Sequence, residues 1–153
     1  MKIKKKILLT GGSGTLGSRI IESNIFNNLI SPSKRILNIK NSEQIISFIN
    51  DNNISSVIHC AASARMKNCE KNPMEAININ LVGTANLVNS VLEVEKKGNT
   101  LIRFIYISSV GVYSSIKGNY SEKSATIPYN NYGWSKLGGE CAVRLLSNYC
   151  IIR

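Results

Sequence analysis

The sequence is short of the residues that many catalytic chemistries need. It has one histidine, His59, one aspartate, Asp51, and one tryptophan, Trp134. A single aspartate argues against paired-carboxylate hydrolysis and against a hard-metal cage. The four cysteines, Cys60, Cys69, Cys141 and Cys150, show no CxxC spacing and have one histidine beside them, so no metal is expected. His59 and Cys60 lie in the apolar run VIHCAA, where a buried place at a strand end is the plain reading. Every apolar run is broken within a few residues, too soon to span a bilayer, and the start MKIKKKILLTGG is too short in its apolar part for a secretory signal. A soluble, cytoplasmic protein with no membrane partner is the expectation.

Acidic residues are also scarce: 9 Asp+Glu stand against 19 Lys+Arg, a formal net charge of +10. Charge of that sign raises the question of nucleic-acid binding. The only clustered basic run is Lys2, Lys4, Lys5 and Lys6, and no aromatic platform interleaves with the remaining cations. A solvated N-terminal arm is expected, and no nucleic-acid partner. The abundance of Ile, Asn and Lys fits an AT-rich genome, which enriches lysine without a functional cause.

At 153 residues, with 43% apolar and 18% charged positions, the chain suits one globular domain. Lys6–Thr10, Ser56–Cys60, Ile102–Ile107 and Cys150–Arg153 read as short strands buried on both faces. Arg35–Ile39 is a weaker strand candidate. Thr15–Phe26, Glu43–Asn50, Pro73–Lys97 and Tyr132–Ser147 read as helices, the third opened by Asn72-Pro73 and closed by Gly98. Strand–helix alternation predicts an α/β fold, a doubly wound parallel sheet with helices on both faces. The final residues read as the opening of another core strand, so truncation before a further domain is expected.

The first strand runs into Thr10-Gly11-Gly12-Ser13-Gly14-Thr15-Leu16-Gly17, a GxxGxxG turn that opens a helix. Gly11 permits a tight turn, Gly14 lets a diphosphate approach the backbone, and Gly17 lets the helix pack on the sheet. The helix N-terminus offers unpaired N–H groups and a positive dipole end, so dinucleotide binding is expected of this Rossmann-type turn. Further on, Tyr132 and Lys136 are four apart and share a helix face. A nearby ammonium favours the phenolate, which suits Tyr132 to proton transfer, although an ordinary surface Tyr and Lys share this spacing. Ser108-Ser109 ends the strand IRFIYI, and Ala61-Ala62 follows VIHC. In open α/β sheets ligands bind beyond such carboxyl ends, which brings these groups to one edge. Trp134, between Tyr132 and Lys136, is expected to report on that site.

In order, TGGSGTLG, VIHCAA, NPMEAININLVGTANL, YISSVGVY and YGWSKLGGE resemble the extended short-chain dehydrogenase/reductase (NAD-dependent epimerase/dehydratase) superfamily. LNIKN, NCEKNPMEAININLVGT and YSEKSATIPYNNYGWSKLGGE look most like dTDP-4-dehydrorhamnose reductases and their nucleotide-sugar relatives. The resemblance implies that Ser109 bonds the reacting oxygen, that Tyr132 is the acid/base, and that Lys136 holds the nicotinamide ribose and tunes Tyr132. It implies a cofactor site of Gly11, Ser13, Gly14, Thr15, Leu16 and Gly17 at the diphosphate. Asn38 and Ile39 would lie at the adenine, Ala61 and Ala62 along the cofactor, and Asn80 near it, together with Tyr132 and Lys136. Asn38 stands where the family usually has Asp.

No acid lies between Ser23 and Ser42, whereas Lys34 and Arg35 do, so NADP(H) is preferred over NAD(H). The implied reaction is hydride transfer from NADPH to the keto carbon of a nucleotide-linked sugar. An epimerase or dehydratase of the same superfamily and a non-catalytic NADP-binding subunit or fragment are the alternatives. Val110-Gly111, where dehydratases carry Asp-Glu, argues against that branch. Relatives are about twice as long, so residues 1–153 are expected to be an NAD(P)-binding domain without its substrate domain. A homodimer or a complementing C-terminal half would be its protein partner.

Overall fold

The computed structural model describes residues 5–98, 100–116 and 118–153, which leaves Lys2 and Lys4 of the basic run outside the described residues. Five strands form one parallel sheet: β1 (Lys6–Thr10), β2 (Leu29–Ile30), β3 (Ile54–His59), β4 (Arg103–Ile107) and β5 (Tyr149–Ile152), in the order β2-β1-β3-β4-β5. The helices are α1 (Thr15–Glu22), α2 (Ser42–Asp51), α3 (Met66–Lys71), α4 (Pro73–Ala76), α5 (Gly83–Gly98) and α6 (Asn131–Val143). The chain is a Rossmann-type α/β domain. Its strand order reverses between β1 and β3, and the crevice above such a switch point is where ligands sit in open sheets.

Consecutive residues Leu8 and Leu9 are both fully buried, so β1 is covered on both faces. That explains the unbroken apolar runs, which a sheet with one wet face would replace by alternation. Leu8, Val57 and Phe104 join Ile45 and Ile49 of α2 and Leu87 and Val91 of α5 in one core. Each fully buried aliphatic side chain of this kind contributes roughly 1.5–3 kcal/mol through area removed from water.

Four expectations are corrected. Arg35–Ile39 is not a strand, because the Ser33 carbonyl accepts from both Ile36 N and Leu37 N (2.9 Å each) and curls the segment into a turn; the strand beside β1 is Leu29–Ile30. α1 ends at Glu22 rather than Phe26, where Asn24 enters the left-handed region (φ 50°) and stops it. α6 ends at Val143, short of Ser147. The helix read over Pro73–Lys97 is interrupted by a π-helical turn, Ile77–Val82, centred on the buried Asn80. α3 and a 3₁₀ turn at Val110–Val112 carried no periodic signal and were not expected.

Candidate functional site

The glycine turn is built by contact. Gly11 has φ +77°, and a Cβ there would lie 2.5 Å from Ala61 N, so the chain passes directly against the end of β3. At Gly17 a Cβ would run into the Gly11 carbonyl, which sets how closely α1 approaches the turn. Gly14 is different: its Cβ would meet only the Gly11 oxygen, at 3.2 Å, and its outer side is open. Gly14 caps α1 without a side chain, and no acid occupies the first turn. The first amides of α1 therefore face outward with no intrahelical acceptor, which suits an anion.

Above the ends of β1, β2 and β3 lies a cavity of about 520 Å³. Its lining includes Gly11, Ser13, Gly14, Lys34, Asn38, Ile39, Ala61 and Ala62 of the expected cofactor residues. Thr15, Leu16, Gly17, Arg35, Asn80, Tyr132 and Lys136 are not part of that lining. Arg35 is exposed, as is Trp134 at 55%. Asn38 uses its backbone N–H on Gln44 Oε1 (2.8 Å) and its own Oδ1 on Lys40 N (3.1 Å), which fixes the rim. Size, the open glycine face and Lys34 fit a dinucleotide.

Behind the cavity His59 forms a relay. Thr84 Oγ1 donates to the Asn80 carbonyl (2.7 Å), so at the 2.9 Å contact with His59 it accepts and Nε2 carries the proton. Nδ1 is then bare and takes the Thr10 hydroxyl at 2.6 Å. Burial, helped by the Lys136 charge, lowers His59 to about 3 and keeps it neutral. Asn80 is equally committed: Oδ1 accepts Ser63 N (2.7 Å), and Nδ2 donates to Ser63 O (3.0 Å) and Ser135 Oγ (2.9 Å). Its amide shapes the loop after β3 and spans to α6, and its neighbour Ile79 lines the cavity.

Ser109 and Tyr132 both flank Gly111. A Cβ at Gly111 would lie 3.3 Å from Ser109 Oγ and 3.6 Å from Tyr132 Cδ1. Ser109 Oγ accepts from Gly111 N (3.0 Å), which leaves its own proton to donate elsewhere. α6 can bring Tyr132 this close because its next residue is Gly133, where a Cβ would strike the Gly111 carbonyl. Asn130 caps the helix through Gly133 N (2.7 Å), and Glu70 of α3 takes Asn131 N (2.8 Å) and Nδ2 (2.9 Å).

Lys136 is 2% exposed, with its Nζ 4.1 Å from the centroid of the Tyr106 ring. Burial lowers it to about 8, against the opposing pull of Cys60 and Glu140. Burial also raises the Cys60 thiol and the Tyr106 hydroxyl, so both stay protonated.

The sequence reading missed a buried ion pair beneath this set. Glu140 Oε2 accepts Arg153 Nη2 at 2.7 Å, and its Oε1 accepts Arg153 Nε at 2.9 Å and the Ser108 hydroxyl at 2.5 Å. Glu140 follows Lys136 by one turn, as Lys136 follows Tyr132, and that spacing is the one signal that could have pointed to it. Among the described residues no group of three or more His, Cys, Asp or Glu could hold a metal, and no helix is long and apolar enough to cross a membrane.

Fold and site together define a Rossmann-type domain with a glycine turn at its first strand end and a serine, a tyrosine and a lysine gathered around the fourth. The family model described as the RmlD substrate binding domain matches residues 5–153, and the chain belongs to that family. It is 30% identical over 148 residues to methionine adenosyltransferase 2 subunit beta of Rattus norvegicus, across 91% of this chain and 42% of the relative. It is 32% identical over 172 residues to a putative UDP-glucose 4-epimerase of Methanocaldococcus jannaschii, across 96% of this chain and 54% of the relative.

Among solved structures, a dTDP-4-dehydrorhamnose reductase of Bacillus anthracis in complex with NADP superposes with TM-score 0.87 at 28% identity, over 100% of this chain and 54% of that one. The Clostridium acetobutylicum dTDP-4-dehydrorhamnose reductase gives 0.85 at 31%, over 97% and 52%. The chain thus spans about half the length of the relatives it matches.

Proposed function

We propose that residues 1–153 are an NAD(P)-binding domain of a nucleotide-sugar oxidoreductase of the dTDP-4-dehydrorhamnose reductase type, reducing a keto sugar with NADPH. The observation that carries this reading is that Ser109 Oγ and the Tyr132 ring both lie within 4 Å of the place a Cβ on Gly111 would take. A bound nicotinamide supplies the hydride. Gly11–Gly17 and the α1 amides would hold the diphosphate, Asn38 and Ile39 the adenine, and Lys34, with Arg35 beside it, a ribose 2′-phosphate. Ala61 and Ala62 would lie along the cofactor, and Asn80 braces the loop that carries them. Ser109 donates its free proton to the keto oxygen and fixes its direction. Tyr132 would deliver its hydroxyl proton to that oxygen, and solvent would return a proton to Tyr132. Lys136, buried one turn further along α6, would hold the nicotinamide ribose.

The similarity to a methionine adenosyltransferase subunit supports a second reading, an NADP-holding subunit without turnover, and the Methanocaldococcus relative supports an epimerase variant. Calorimetric titration of the chain with NADPH and NADH tests the common premise. Saturable binding, tighter for NADPH, supports it, and heat from neither cofactor overturns it. Consumption of NADPH with a 4-keto nucleotide sugar, lost in Tyr132→Phe, separates the reductase from the subunit.

A further inference from the structure

Helix α6 stacks Tyr132, Lys136 and Glu140 at successive i, i+4 places. Glu140 is fully buried, and both carboxylate oxygens are used by Arg153 from the end of β5 and Ser108 from the end of β4. Arg153 Nη1 goes on to donate to the Tyr113 hydroxyl (2.9 Å), which donates to Ser121 O (3.0 Å), and the guanidinium lies 5.3 Å from the Tyr113 ring centroid. One carboxylate therefore ties α6 to two strand ends and, through Arg153, to the loop that follows Ser109.

Packing alone does not call for this pair. Taking two charges out of water costs several kcal/mol per ion, and apolar residues of equal volume commonly hold a core as well or better. What an apolar pair could not supply is direction and charge at this spot. Ser108 is the chain neighbour of Ser109, so its bond to Glu140 sets where the β4 end lies against α6. The groups that act on Lys136 are His59 at the end of β3, Cys60 just after it, Tyr106 from β4 and Glu140 on its own helix, where Tyr132 stands one turn before it. His59 is neutral, and Cys60 and Tyr106 are held protonated by burial, which leaves Glu140 as the carboxylate in that set, its charge partly offset by Arg153.

We propose that Glu140 is a positioning residue for the reaction set out above: clamped by Arg153 and Ser108, it fixes the Ser109 end of β4 against the Tyr132–Lys136 face of α6 and places a negative charge one turn from the Lys136 ammonium. The inference rests on the assignment of Ser109, Tyr132 and Lys136 to that reaction, but its test needs neither cofactor nor turnover.

The experiment is an NMR titration of the full chain, following the lysine Cε signals, with Lys136 assigned by its loss in Lys136→Met. Burial sets the Lys136 midpoint at about 8, with Cys60 and then Glu140 pulling upward. Glu140→Gln is expected to move that midpoint down by about one pH unit, and Glu140→Asp to recover part of the change. Val143→Ala, a buried truncation on the same helix, is expected to lower the melting temperature and leave the midpoint in place. An unmoved midpoint in Glu140→Gln, or an equal movement in Val143→Ala, overturns the inference. Should Glu140→Gln fail to fold, the Glu140 Cδ resonance of the wild-type chain decides. An inflection at the Lys136 midpoint upholds the coupling, and its absence overturns it. A chain that binds neither cofactor sinks the proposed function and leaves this titration readable. A chain that binds NADPH while Lys136 ignores Glu140 sinks this inference alone.

Discussion

The two halves of the carboxyl edge are built by opposite means. Over β1 and β3 the surface is made by backbone: glycines that tolerate no Cβ press the turn onto Ala61 and α1 onto the turn, and the open side of Gly14 is defined by what is missing. Over β4 and β5 it is made by long side chains, with Glu140, Arg153, Ser108 and Tyr113 joined by directed bonds between residues up to 40 positions apart. Backbone construction gives a rigid, neutral cradle that suits an anion from outside. Side-chain construction gives a charged, adjustable support for proton transfer. The first should fail sterically and the second electrostatically.

The largest effect is expected at Gly11. Valine there must adopt φ near +77° and place its Cβ 2.5 Å from Ala61 N, a backbone atom that cannot swing away. Gly11→Val should abolish cooperative unfolding, whereas Gly14→Ala, whose Cβ meets the Gly11 oxygen at 3.2 Å, should fold with a much smaller fall in melting temperature and lose affinity for NADPH. Equal stability of the two variants would break the distinction between a packed and an open face of the same turn.

His59 sharpens the comparison from within the backbone-built half, since it is the side chain that bolts Thr10 to Thr84. Its proton affinity is depressed from the usual 6.5 to about 3 by burial, so the unfolded chain binds the proton more readily. Stability from this group is full above 6.5 and is lost as pH falls toward 3, a loss of roughly 4–5 kcal/mol at about 1.4 kcal/mol per pH unit. Urea midpoints measured from pH 7 to pH 4 should fall more steeply in the parent than in His59→Gln. Parallel curves would show that another group governs the acid limb.

In the side-chain-built half, Glu140→Ala leaves Arg153 without its partner. Loss of one member of a buried pair costs about 3–5 kcal/mol, and because Arg153 keeps 13% of its side-chain exposure the lower end applies. Replacing both residues, Glu140→Leu with Arg153→Met, should recover most of that loss in urea denaturation. Failure to recover would mean that the bonds to Ser108 and Tyr113 outweigh the ion pair itself.

The same division explains what could be read from sequence. Gly11, Gly14 and Gly17 were legible because the constraint is local: a strand, a spacing and a helix start fix the conformation within eight residues. The parallel sheet was legible because continuous burial leaves its mark in runs such as KILLT. The Asn80 π turn was not, since its cause is a set of bonds to Ser63 and Ser135, 17 and 55 positions away. Glu140 and Arg153 were invisible as a pair for the same reason, although Glu140 stands in register with Tyr132 and Lys136. Arg35–Ile39 misled because a short segment with Ile36, Leu37 and Ile39 is as apolar as a short strand, while the Ser33 carbonyl that curls it leaves no trace in the sequence pattern.

The smallest expected effect tests whether the backbone-built cradle also chooses its cofactor. Lys34 lines the cavity just beyond the end of β2, and no acid stands between Ser23 and Ser42 to take a ribose 2′-hydroxyl. Arg35, one residue on, is exposed and outside the lining. A lysine facing a 2′-phosphate at a partly open rim acts through a screened charge, so Lys34→Ala should weaken NADPH about tenfold, or roughly 1.4 kcal/mol, and leave NADH unchanged. The same substitution at Arg35 should do less. Calorimetry of both variants with both cofactors, at low and at physiological salt, reads this directly, since screening should shrink the Lys34 effect as salt rises. Equal losses for NADPH and NADH would mean that Lys34 shapes the rim and does not read the phosphate. Cofactor choice would then have to come from the glycine turn itself, which carries no charge to choose with.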